Sequence, residues 1–216
     1  MAAVYILRHG QTDCTRQGRF CGRHDPPLNA SGLAMARAFA EYYSSPTWRA
    51  IYTSPLQRTV QISAIVSKRH GLPITVADGL LELDYGLWDD RLKREIASKP
   101  EYIAWSADPE ALSPPQGETA SEVARRASAV IDGIRCTHPA EDVLVITHKA
   151  TIRILICHYM GIDLRRFRER IANPIASLTC LRFDRGESML MTLADVAHLP
   201  LECRSNSDSA GGGGTT

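Results

Sequence analysis

Two histidines stand at the same kind of place in this chain. His9 follows a short apolar run at residues 3–7 through Arg8, and His148 closes the run Val145-Ile146-Thr147. At the end of a buried strand an imidazole can meet a ligand, where it attacks as a nucleophile, carries a proton or donates a hydrogen bond. A histidine so placed can equally be a buried residue with internally satisfied bonds, so neither position carries a function alone. Arg8 and Arg58 add permanent, planar cations suited to an anion with several oxygens. Glu82 and Asp84 lie two residues apart on an extended segment, so both carboxylates can point to one side, where either could move a proton.

The elements that must position these groups follow from periodicity. Residues 3–7 read as a buried strand ending in a loop. Asn29 or Ser31 can cap a helix whose Leu33, Ala36, Ala40 and Tyr43 recur at helical spacing. After a strand at 50–53, Ser54 as N-cap and Pro55 as first helical residue open a helix to His70, which Gly71 and Pro73 end. Residues 74–76 form the next strand. Thr119 and Glu122 make a capping box for a long helix buried through Val123, Ala127, Val130, Ile131 and Ile134. Residues 142–147 read as a strand apolar on both faces, as in a covered parallel sheet. Ile152, Leu155, Ile156 and Tyr159 give the following helix its buried stripe, and 177–183 and 188–193 form two late strands around a turn at 184–186.

This alternation predicts an α/β fold, a three-layer α/β/α sandwich with a mostly parallel central sheet and right-handed crossovers. Ligands in such folds bind beyond the carboxyl ends of the strands, where both Arg8-His9 and His148 fall. Between 78 and 117 the pattern breaks into loops, prolines and short helices, a segment expected to form a cap over the site. The predicted organisation is one domain over 1–204 and a disordered tail at 205–216, whose Ser, Gly and Thr residues have nothing to bury.

A chain of 216 residues suffices for one domain with a substantial core. A net charge of +1 argues against nucleic-acid and membrane-surface partners, which select for basic patches. The N-terminal apolar stretch is too short for a signal peptide or a membrane span, so a cytoplasmic location is expected. The six cysteines, scattered and without a C-x-x-C pair, are expected to be reduced, with no zinc site.

The two histidine runs belong to a longer ordered set. L-R-H-G-Q-T at 7–12 is followed by Gly18-Arg19, by Asp25 with Pro27-Leu28 and Gly32, and by T-S-P-L-Q-R-T at 53–59. L-L-E-L-D-Y-G at 80–86, G-E-T at 117–119 and V-I-T-H at 145–148 complete it. The set resembles the histidine phosphatase superfamily, which includes the cofactor-dependent phosphoglycerate mutases, and covers nearly all the chain to about residue 199. The resemblance implies a phosphoglycerate mutase-like fold and a phosphomonoester hydrolase that forms a phosphohistidine at His9. It implies Arg8 and Arg58 as phosphate ligands and His148 as a donor to the transferring oxygens. Glu82 is implied as the acid that protonates the leaving oxygen and then activates water, its E-x-x-x-G spacing favouring it over Asp84. It also places Thr12, Thr15, Arg19, Cys21, Gly22 and Lys149 around the substrate. Because Arg8, Arg58, His9 and His148 already supply positive charge, no metal and no cofactor are expected.

Thr15 stands where relatives usually carry asparagine, and Thr147-His148-Lys149-Ala150 replaces the usual S-H-G-G. Lys149 therefore puts a cation at a helix start, where the dipole disfavours it unless an anion lies nearby. The segments 100–109 and 114–119 are similar to alpha-ribazole and phosphoserine phosphatases. The short insertion before G-E-T and E-L-D-Y-G in place of E-R-H-Y-G favour a phosphatase over two alternatives, a mutase and a catalytically impaired phosphate-binding relative. The expected partner is a small phosphorylated metabolite; a homodimer is left open.

Overall fold

The computed structural model describes residues 2–44 and 46–204. The tail predicted at 205–216 lies outside the described residues. The strands are β1 (Ala2–Arg8), β2 (Trp48–Thr53), β3 (Ile74–Val76), β4 (Asp142–Thr147), β5 (Leu178–Asp184) and β6 (Glu187–Asp195). The helices are α1 (Asp13–Arg16), α2 (Ala30–Tyr42), α3 (Gln57–His70), α4 (Lys93–Ile96), α5 (Pro100–Ala107), α6 (Ala120–Thr137), α7 (Lys149–Met160), α8 (Phe167–Arg170) and α9 (Leu201–Arg204).

The strands form one sheet in the order β3-β2-β4-β1-β5-β6. β3, β2, β4 and β1 are parallel, and β5 and β6 complete the edge antiparallel. Alternation along β1 and β4 divides the core. Val4, Ile6, Val143 and Val145 pack on Val123, Ala127 and Ile131 of α6 and on Ile152 and Leu155 of α7. Leu7, Leu144 and Ile146 face the other way, onto Phe39 of α2 and Ile62 and Val66 of α3. The predicted sandwich is thus observed, with each helix pair covering one face of a sheet whose central strands are apolar throughout.

One helix start is a correction. Ser54 and Pro55 do not open α3, whose N-cap is Leu56 without a side-chain bond. The Ser54 amide still donates to Ile146 O on the sheet, at 3.1 Å. The Asp25 carboxylate, brought in from a distant loop, accepts the Gln57 amide at 2.7 Å and does the capping instead. Asn29, not Ser31, caps α2 by accepting the Gly32 amide. The β5–β6 turn places Arg185 and Gly186 at positive φ, 48° and 89°, as a two-residue hairpin requires.

Candidate active site

Pairing of β1 with β4 sets the centre of the site. Arg8 is in register with Thr147, so the residues that leave the two strands, His9 and His148, emerge side by side with ring centroids 5.2 Å apart. Both are almost wholly buried. His9 Nδ1 lies 2.8 Å from Gly10 O. A carbonyl only accepts, so Nδ1 carries the proton and Nε2 of the neutral ring keeps its lone pair. Close approach of Gly10 to Gly32 holds this loop: a Cβ on Gly10 would lie 2.9 Å from Gly32 O.

His148 is fixed in the opposite sense. Arg58 Nε donates to its Nδ1 at 3.2 Å, so the proton of the neutral ring sits on Nε2, which donates to Ser54 Oγ at 2.8 Å. Burial, then the charge of Arg58 and the nearby His9, hold the His148 pKa well below the ordinary histidine value. Arg58 is itself fully buried and spends its remaining donors on the loop beneath the site, bonding His24 O at 2.8 Å, Gly22 O at 2.8 Å and Cys21 O at 3.3 Å.

Glu82 comes from the segment after β3. Its Oε1 accepts the amides of Leu83 (2.9 Å), Ala150 (3.2 Å) and Thr151 (3.1 Å), and its Oε2 accepts Ala150 N at 3.1 Å. The carboxylate thus sits on the first turn of α7, where unpaired amides and the helix dipole favour an anion. Asp84, the competing acid, accepts the Gly86 amide at 2.8 Å and pairs with Arg23 at 3.5 Å.

A cleft of about 50 Å³ opens over this centre. Arg8, His9, Glu82, Lys149, Thr15, Arg19 and Cys21 line it, and so do Phe20, Tyr85 and Lys93. Arg8 donates to Asn173 O at 2.6 Å, and Asn173 Nδ2 reaches Lys149 O at 3.3 Å, so one residue before β5 ties two walls together. Of the predicted contacts, Thr12, Gly22, Arg58 and His148 are not on the cleft lining, and neither is Asp84, the competitor of Glu82. Thr12 instead closes a reciprocal capping box with Thr15 on α1. Gly22 acts through its backbone, donating to Asp89 at 2.8 Å and accepting from Arg58. A Cβ there would lie 2.7 Å from Leu83 O. Beside the Cys14 thiol and the Arg58 charge, the Cys21 thiol is pulled below its usual value, against its burial.

Sequence reasoning missed Ser54 as a partner of His148, Asn173, and the lining residues Tyr85 and Lys93. Tyr85 sits inside the E-L-D-Y-G run and could have been singled out there; Lys93 and Asn173 carry no local signal. Among the described residues, no group of three or more His, Cys, Asp or Glu side chains is arranged to hold a metal ion. No helix among them is long and apolar enough to cross a membrane.

Comparison with known proteins matches residues 4–196 to the Histidine phosphatase superfamily (branch 1). Phosphoserine phosphatase 1 of Hydrogenobacter thermophilus is 26% identical over 92% of this chain and 95% of its own length. The uncharacterized phosphatase PhoE of Bacillus subtilis is 32% identical over 82% of this chain and 87% of its own. Among solved structures, Bacillus stearothermophilus YhfR superposes with a TM-score of 0.86 at 26% identity, covering 92% of this chain and 99% of that one.

Proposed function

The chain belongs to the histidine phosphatase superfamily and is a phosphoric monoester hydrolase, and on that premise we propose that it turns over small phosphorylated metabolites through a phosphohistidine at His9. The observation that carries the reading is the His9 ring, held by its Nδ1 proton on Gly10 O in a cleft shared with Arg8 and Glu82. Nε2 attacks phosphorus while the ester P–O bond breaks, and the leaving oxygen takes a proton that Glu82 relays from the monoanionic phosphate of the substrate. In the second half, Glu82 accepts a proton from water, whose oxygen attacks phosphorus and breaks the P–N bond, releasing inorganic phosphate and the free imidazole. Arg8 neutralises the equatorial oxygens from the cleft wall, with Arg58 and the neutral His148 behind it. In this reading the two arginines do the electrostatic work without a metal.

Lining the cleft next to Glu82, Lys149 supports a substrate with a further acidic group. The near-neutral net charge supports a free metabolite over a nucleic acid or a membrane surface. The test is phosphate release across a panel of phosphorylated sugars, acids and nucleotides, run beside 3-phosphoglycerate with its bisphosphate primer. Release without isomerisation is expected; isomerisation at the rate of hydrolysis would make the chain a mutase.

A further inference from the structure

Glu82 is gripped at both ends. Its carboxylate rests on α7, while the backbone that carries it is held by Arg126 from α6. Every donor of that guanidinium is used: Nε meets Glu118 Oε1 at 2.9 Å, and Nη2 meets Glu118 Oε2 at 2.9 Å and Glu82 O at 3.0 Å. Nη1 donates to both Gly79 O and Leu81 O at 2.8 Å. The segment lies flush on the helix, since a Cβ on Gly79 would come within 2.6 Å of Arg126 O. Glu118 in turn accepts the Asp84 amide at 3.0 Å and Arg23 at 3.1 Å. Burial alone would raise the Glu118 carboxyl, but Arg126, the Asp84 amide and Arg23 together hold it below its usual value, so the pair stays charged near neutrality.

We propose that the Arg126–Glu118 pair is a positioning device for Glu82, setting the depth at which its carboxylate meets the leaving oxygen, without touching substrate. Arginine is required because one planar fork must span three carbonyls and a carboxylate; a lysine ammonium cannot reach them together. A shift of about 1 Å in a proton donor is enough to cost on the order of a hundredfold. The inference rests on Glu82 being that donor.

The experiment compares an alkyl phosphate, whose leaving group needs a proton, with p-nitrophenyl phosphate, whose leaving group does not. Glu82→Gln alone tests the underlying reading: a selective loss on the alkyl ester upholds it, and equal losses overturn it whatever Arg126 does. Arg126→Lys and Glu118→Gln are then each expected to lower kcat on the alkyl ester at least tenfold and on p-nitrophenyl phosphate less than threefold. Inhibition by inorganic phosphate should be unchanged, and placing either change in a Glu82→Gln background should add no further selectivity. Equal losses on both substrates, or selectivity that persists without Glu82, would overturn the proposal. If Arg126→Lys does not fold, the isosteric Glu118→Gln decides by the same criteria.

Discussion

Glu82 accepts the amides of Ala150 and Thr151, so the helix that opens with Lys149 already has an anion on its first turn. The cost that the dipole sets on a cation there is offset by a carboxylate of the site itself, and Lys149 lines the cleft beside it. Lys149→Gly should therefore raise the Michaelis constant for a phosphomonoester with a second acidic group by roughly tenfold, ~1.4 kcal/mol, and leave that for p-nitrophenyl phosphate unchanged. Equal weakening of both would mean that the lysine meets only the phosphoryl group. No change on either would make it a solvated surface residue.

Ser54 is fully buried and gives the His148 Nε2 proton its acceptor. Ser54→Ala strands that proton in the core, and a stability loss of about 1–3 kcal/mol is expected, read from the urea midpoint at pH 8 with the slope unchanged. A variant as stable as the parent would show that this bond does not hold the ring.

Much of this site was legible because its parts are local. The apolar runs before His9 and His148, the Thr119–Glu122 box and the stripes on α6 and α7 are each readable within a few residues. The parallel alternation then placed both histidines at one end of the sheet. What stayed hidden was contact over long sequence separation: Ser54 with His148, Glu82 with the start of α7, Asn173 with Arg8. Ser54-Pro55 is a sound local cap signal, overridden because the Ser54 hydroxyl is engaged by His148 and Asp25 supplies the cap from another loop. Thr15 lines the cleft, and its hydroxyl also donates to Thr12 O at 2.9 Å, a local bond that its position in the sequence does not announce.

His198 is buried against Phe39, Tyr42 and Tyr43, and burial above all lowers its pKa, with Arg204 adding and Asp195 opposing. Neutral when folded and free to protonate when unfolded, it favours the folded state above about pH 6.5; that contribution falls away as pH drops from there toward the lowered folded value. His198→Phe should therefore flatten the decline in stability between pH 7 and pH 5 relative to the parent, measured by urea denaturation at each pH. Parallel declines in the two proteins would contradict the assignment.

The central claim is that phosphorus passes through the His9 ring. Rapid acid-free quenching of turnover with ³²P-labelled substrate should trap an acid-labile, alkali-stable protein adduct that forms and decays at rates compatible with kcat. The adduct should be absent from His9→Ala and unaffected by chelator. Full turnover by His9→Ala, or activity abolished by chelator and restored by magnesium with no labelled protein at any time, would contradict it.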